Sequence, residues 1–334
     1  MALDSDQGAR GEHPLYAASC RDETGGGIGA WLSAALAIRR PEYTIATLCI
    51  ATIPAFAVAN APGDLITLDY LCGFLLVVFA VQVGDMVNCL ADRELDAMFK
   101  PRLSRAVHTL GLRSVRVQIW VTSAVMMALA VLSASRTGHW DMVLLVAIEV
   151  MLGFQYSVPP LHGKARGALQ IPIVSSALFL FPMLIVVRSL PDAQVEWAAV
   201  LLLIVAFGAA EEGVILVNTA EDYPEDLEYG IRTSVVALGI PKAMAVATGM
   251  IACGGVGLPI ALLALGTPVW AAALVAAVSA WHLVTIASMA FRVRALPVQD
   301  AMRELLRTSR FVPLFCCTIA LAVTLAAFTA LTGR

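Results

Sequence analysis

The chain has 334 residues, of which 59% are hydrophobic and 14% charged, with a mean hydropathy of +0.81. Soluble domains use about 25% charged residues, so the expected solvent is the bilayer. A spanning helix needs about 20 mainly apolar residues, which limits the chain to about ten spans and leaves little for a separate soluble domain. The formal net charge of −3 argues against a nucleic-acid partner. The seven cysteines include no C-x-x-C and fall mostly in apolar segments, as inert packing residues do.

In chain order, the first stretch is polar and Gly-rich (Gly25-Gly26-Gly27) and has no apolar run of the kind a cleavable leader carries. It reads as a mobile cytoplasmic tail over residues 1–34, followed by one membrane domain over 35–334. Long apolar runs predict spans near 43–61, 66–91, 115–135, 141–160, 168–188, 196–219, 242–264, 269–291 and 311–332. The seventh and eighth are separated at Gly266-Thr267-Pro268, because the uncharged stretch from Ala243 to Phe291 is too long for one helix. With the N-terminus inside, nineteen of the 22 basic residues are cytoplasmic; only Arg136, Arg188 and Arg334 fall outside. That asymmetry follows the positive-inside rule. The expected fold is all-α, a polytopic protein of about nine transmembrane helices around a central cavity, in the cell (inner) membrane.

Two acidic motifs stand out. The second span ends in Asn88, Asp92 and Asp96, and the sixth in Asn218, Asp222 and Asp226, both written N-x-x-x-D-x-x-x-D. A spacing of four stacks such side chains on one helical face, about 6 Å apart. One such row could be merely solvated. Two at equivalent depth would bring four carboxylates together, and these repel one another unless a cation lies among them. Magnesium suits an all-oxygen set completed by phosphate oxygens, whereas zinc would call for His or Cys. Two facing rows could therefore grip a magnesium-bound diphosphate. Arg40, Lys100, Arg102, Lys164 and Arg232 lie on the same side as candidate diphosphate contacts, with headgroup anchoring as the alternative for any one of them. A basic residue and a Gly after each motif (Lys100 to Gly111, Arg232 to Gly239) hint at pseudo-symmetric halves.

With these motifs, Arg40-Pro41 before the first span, Tyr156-Ser157-Val158-Pro159-Pro160 at the end of the fourth and Gly230-Ile231-Arg232-Thr233 after the second motif, the chain resembles the UbiA superfamily of intramembrane prenyltransferases over roughly residues 35–332. The resemblance implies Mg2+-dependent transfer of a prenyl group from an isoprenoid diphosphate to an aromatic or other lipophilic acceptor. Asn88, Asp92, Asp96, Asp222 and Asp226 would take the metal and diphosphate roles, and Tyr156, Ser157 and Lys164 would line the same site. One departure concerns the acceptor: where many relatives carry R-P-I/L, a small residue and Gly, this chain has Arg102-Leu103-Ser104-Arg105-Ala106-Val107.

Charged groups inside spans call for a functional hypothesis. Glu149 and Glu211 each lie seven residues before Tyr156 and Asn218, and Asp85 lies three before Asn88. Acceptor binding, proton removal and interhelical hydrogen bonding are all open for Glu149, Glu211, Asn218 and Asp85. His282 reads as an interhelical contact. A membrane terpene cyclase would use the same ionisation without an acceptor. A cation-coupled transporter is the more distant alternative, since transporter sites lie nearer mid-membrane than these helix ends.

Overall fold

The computed structural model describes residues 27–191 and 195–333, and among these all regular structure is helical. The principal helices are α1 (Ile28–Ala37), α2 (Thr44–Val58), α3 (Leu68–Phe99), α4 (Pro101–Leu110), α5 (Leu112–Thr137), α6 (Asp141–Ser157), α7 (Gln170–Ser175), α8 (Phe181–Arg188), α9 (Trp197–Glu221), α10 (Tyr223–Glu228), α11 (Ser234–Leu238), α12 (Ile240–Ala264), α13 (Val269–Val293), α14 (Val298–Ser309) and α15 (Val312–Thr332). A π-turn over Ser176–Leu180 joins α7 to α8, so the fifth span is one continuous apolar segment, Gly167–Arg188.

Among the described residues, eight segments are long and apolar enough to cross a membrane. The ninth expected span is α6, whose 17 residues stop short because Ser157 is followed by the extended Val158 and two prolines. At 1.5 Å per residue it is about 26 Å long, a shorter but still bilayer-scale rod. Two further differences from the sequence reading concern surface elements. Helix α1 begins inside the segment expected as tail, while residues 1–26 of that tail lie outside the described residues. The stretches after the second and eighth spans, expected as loops, form the amphipathic helices α4 and α14.

Helices α2, α3, α6, α9 and α15, with the segment 164–179, wall a central cavity, and α5, α12 and α13 pack outside them. The end remote from the acidic motifs is sealed where α2 and the start of α3 meet α8: Ala57, Val58, Met183 and Val186 are buried together. There Gly73 is required, since a Cβ would lie 2.3 Å from Ser189 Oγ. On the same side Arg136 pairs with Asp69 at 2.6 Å and Arg188 with Asp141 at 2.7 Å. His282 bonds Thr318 Oγ1 across α13 and α15 at 3.0 Å, the interhelical contact expected of it.

The two halves repeat in backbone detail. Gly111 (φ 79°, ψ 138°) precedes α5 and Gly239 (φ 76°, ψ 151°) precedes α12, each a conformation nearly restricted to glycine. Arg40 and His162 share φ 46° with ψ 65° and 61°, the first just before the opening span of its half and the second five residues before the fifth span. The halves are thus built alike, with an acidic row ending the second span of each.

Helices α9 and α12 form the most extensive pair, and small residues let their backbones approach. A Cβ on Gly254 would stand 2.5 Å from Ala206 O, and one on Gly213 2.7 Å from Ala247 O. Gly254→Val is therefore expected to cost about 1–3 kcal/mol by overpacking. Gly249→Ala, on the same helix where an added Cβ meets nothing within 4 Å, should leave the melting temperature in detergent unchanged or slightly raised.

Candidate active site

The cavity holds about 1820 Å3 of empty space, its open mouth included. Asn88, Asp92 and Asp96 of α3 line one wall; Asn218 of α9, Asp222 at its end and Asp226 of α10 line the other. The second row does not continue on one helix as the first does. Pro224 follows Asp222, and the chain breaks into α10, whose first turn carries Asp226 inward.

Each row is held by a lysine. Lys164, buried in the segment after α6, donates to Asp92 Oδ1, and Lys100 Nζ donates to Asp222 Oδ2 at 2.8 Å. Because Lys100 follows the first motif and Asp222 belongs to the second, the latter pair ties the rows across the mouth. Burial works against the Lys100 ammonium, but the adjacent Asp222 carboxylate outweighs it and raises its pKa. Asn88 Nδ2 donates to Asp92 Oδ2 at 3.1 Å and to Ser157 Oγ at 3.2 Å, joining α3 to α6.

Tyr156 is fixed by Gln170, whose Nε2 donates to its hydroxyl at 3.0 Å while Gln170 Oε1 accepts from Ser234 N at 2.7 Å. The Tyr156 hydroxyl therefore keeps its own O–H to donate. Gly167 N donates to Arg232 O at 2.7 Å, so the loop after the second motif closes on the loop after α6. Arg40 lines the mouth with its guanidinium 5.0 Å from the Tyr43 ring centroid. Deeper, the walls turn apolar: Ile50, Val174, Leu178, Phe179 and Phe207 line them, the two phenylalanine rings meeting edge to face at 5.7 Å.

Of the residues singled out in the sequence, Arg40, Asp85, Asn88, Asp92, Asp96, Lys100, Glu149, Tyr156, Lys164, Glu211, Asn218, Asp222 and Asp226 line this one cavity. Three do not. Ser157 supports Asn88 from behind, Arg102 lies exposed on α4, and Arg232 is exposed and contributes its backbone carbonyl to the loop closure. Sequence reasoning missed Glu225, Thr233 and Gln170, all lining residues. Glu225 was open to notice beside Asp226, and Thr233 stood in the quoted Gly230-Ile231-Arg232-Thr233 run without being assigned a role, whereas Gln170 carries no motif and depends on loops that meet only in space.

The donor set fits a hard cation: oxygens from four carboxylates and two amides, with no His or Cys in either row. Among the described residues no three acidic, His or Cys side chains enclose a metal by themselves. The all-oxygen donor set suits magnesium, which is bound through one or two carboxylates with water and phosphate oxygens completing the octahedron.

The chain belongs to the UbiA prenyltransferase family, whose profile matches residues 48–303, and it is an integral membrane protein. Its fold is similar to that of a digeranylgeranylglyceryl phosphate synthase, with TM-score 0.63 and 16% identity over 89% of this chain and 99% of that one. It is similar also to a UbiA homolog from Archaeoglobus fulgidus, with TM-score 0.62 and 15% identity over 90% and 99%, which has also been solved bound to GPP and Mg2+. A UbiA homolog from Aeropyrum pernix K1 matches with TM-score 0.59 and 20% identity over 84% and 98%. No curated protein sequence matches the chain.

Burial pushes the Asp226 carboxyl up to about 6 from an ordinary 3.8; a Thr233 hydrogen bond opposes this and Asp222 adds to it. Burial and then Asp222 push Glu225 up to about 7 from 4.5. Both acids bind protons more tightly folded than unfolded, so without a divalent cation their contribution to stability falls as pH rises from about 4 to 7. A cation that binds the ionised site offsets this loss. The increase in melting temperature given by Mg2+ with diphosphate should therefore be larger at pH 8 than at pH 5.5, and Asp226→Asn should shrink the difference.

Proposed function

We propose that the protein is a Mg2+-dependent intramembrane prenyltransferase that ionises an isoprenoid diphosphate and delivers the prenyl group to a lipophilic, aromatic-type acceptor, with its mouth and N-terminus on the cytoplasmic side. The observation carrying this reading is the cavity itself. Two acidic rows on separate helices open into one space that runs from carboxylates and lysines to phenylalanines. Such a gradient suits a molecule with a polyanionic head and a hydrocarbon tail. The GPP- and DMAPP-bound, Mg2+-containing structures of the Archaeoglobus homolog support the same donor class.

In this reading Asn88, Asp92 and Asp96 hold magnesium on one side and Asp222 and Asp226 on the other. Bound there, the metal neutralises charge on the departing diphosphate. Lys164 and Lys100, which stand on Asp92 and Asp222, would be within the same site to offer charge-assisted hydrogen bonds to the leaving diphosphate. Arg40 approaches from the turn before α2, and Tyr156, oriented by Gln170, donates its O–H. The tail extends toward Leu178, Phe179 and Phe207, which exclude water from the allylic cation and present aromatic faces to it.

Asp92→Ala and Asp222→Ala should each lower diphosphate release from allylic substrates about 100-fold or more while the protein still inserts and purifies as folded. Purified wild type incubated with Mg2+, allylic diphosphates of several lengths and candidate acceptors tests the reaction type. Prenylated acceptor supports transfer; hydrocarbon or terpene alcohol formed at full rate without acceptor would replace it with cyclisation; near-normal turnover in either variant would refute the metal assignment.

A further inference from the structure

Two buried carboxyls in the cavity are used by none of the steps above. Glu149 of α6 is 4% exposed and Glu211 of α9 is 2% exposed, and both line the cavity. Glu149 Oε2 and Glu211 Oε1 have no hydrogen-bond partner, although the Cys316 thiol bonds the Glu211 carboxyl. A buried oxygen without a partner costs about 1–3 kcal/mol, so a ligand that supplied a hydrogen there would recover that cost.

Both groups lie further into the cavity than the acidic rows. Each precedes by seven residues a polar residue of the upper site, Tyr156 on α6 and Asn218 on α9, which places each about 10 Å further in at 1.5 Å per residue. The link from Asn88 to Ser157 sets the end of α6 level with the asparagine of the first row. The carboxyls therefore face the cavity from two walls, below the place where the diphosphate would ionise. None of the cavity's basic side chains pairs with either carboxyl, since Lys164 and Lys100 are engaged by Asp92 and Asp222 and Arg40 lies against the Tyr43 ring, so an anionic group held against Glu149 or Glu211 would meet a carboxyl and no cation.

We propose that Glu149 and Glu211 form the acceptor's polar anchor, a subsite that recognises a neutral lipophilic molecule by its hydroxyl hydrogens and rejects carboxylate-bearing acceptors. The inference rests on the prenyltransferase reading and adds the chemical class of the second substrate. A hydroxyl donates to the open carboxyl oxygens, while a methyl ether of the same shape cannot. A carboxylate would stay unpaired in a low-dielectric space.

The test uses full-length protein in detergent, saturated with Mg2+ and farnesyl thiodiphosphate, an unreactive donor analogue. Binding of 2-naphthol and farnesol, of their methyl ethers, and of 2-naphthoate and farnesoate is then measured by calorimetry. Wild type should bind the hydroxyl probes at least tenfold tighter than the ethers or carboxylates. Glu149→Leu and Glu211→Leu should reduce that preference to about twofold with the analogue still bound, and Glu→Gln at either position, which keeps an acceptor oxygen and the side-chain shape, should retain most of it. Equal binding of alcohols and ethers, tighter binding of the carboxylates, binding of none of the probes, or a preference unchanged in both Leu variants would overturn the subsite and leave the donor reading intact. Loss of Mg2+-dependent binding of the analogue to wild type would overturn both.

Discussion

Acidic side chains at the edge of a low-dielectric cavity must have cations beside them, and this requirement organises the molecule. Ionised carboxylates facing one another at the mouth repel, and burial makes the repulsion stronger. Lys164 on Asp92 and Lys100 on Asp222 supply the compensation. Each lysine comes from outside the row it neutralises, so the charge pairs also act as ties: α3 to the segment after α6, and the first motif to the second. In the proposed function a metal diphosphate would replace these counter-charges, with metal for the carboxylates and phosphate for the lysines, so that no charge would be left unpaired in the hydrocarbon.

The repeated build of the two halves puts the rows opposite each other. Matching glycines before α5 and α12 turn the chain from an interfacial segment into the next span, and both of those spans pack outside the cavity. The inner helices are thereby free to line it. Helices α9 and α12 sit close because Gly213, Gly254 and Gly257 offer no side chain at the crossing, which holds the second row's helix in place. At the remote end, α8 against α2 and α3 closes the floor, and the cavity becomes a cup opening toward the carboxylates.

Much of this was legible in the sequence, because membrane-spanning helices are written in long apolar runs. Predicted span ends fall within a few residues of the helices except at α3, which runs on to Phe99 and carries its whole acidic row in helical register. The four-residue spacing of the rows was equally readable. What escaped was tertiary. Arg102 has the charge expected of a phosphate contact, but the amphipathic register of α4 points Leu103 into the cavity and leaves Arg102 in solvent. Arg232 sits in the matching loop, yet its carbonyl, not its guanidinium, closes the site. Gln170 has no local pattern at all, since its partner Tyr156 lies on another segment, and the Gly230-Ile231-Arg232-Thr233 run does not show that Thr233 reaches back to Asp226.

The central claim is that both acidic rows share one metal diphosphate. Crystals grown with Mn2+ and inorganic diphosphate, with manganese located by its anomalous scattering, test it most directly. The account predicts manganese at bonding distance from α3 carboxylate oxygens and from Asp222 or Asp226, with one diphosphate bridging the two sides. Manganese confined to a single row, or diphosphate bound away from the carboxylates, would contradict it.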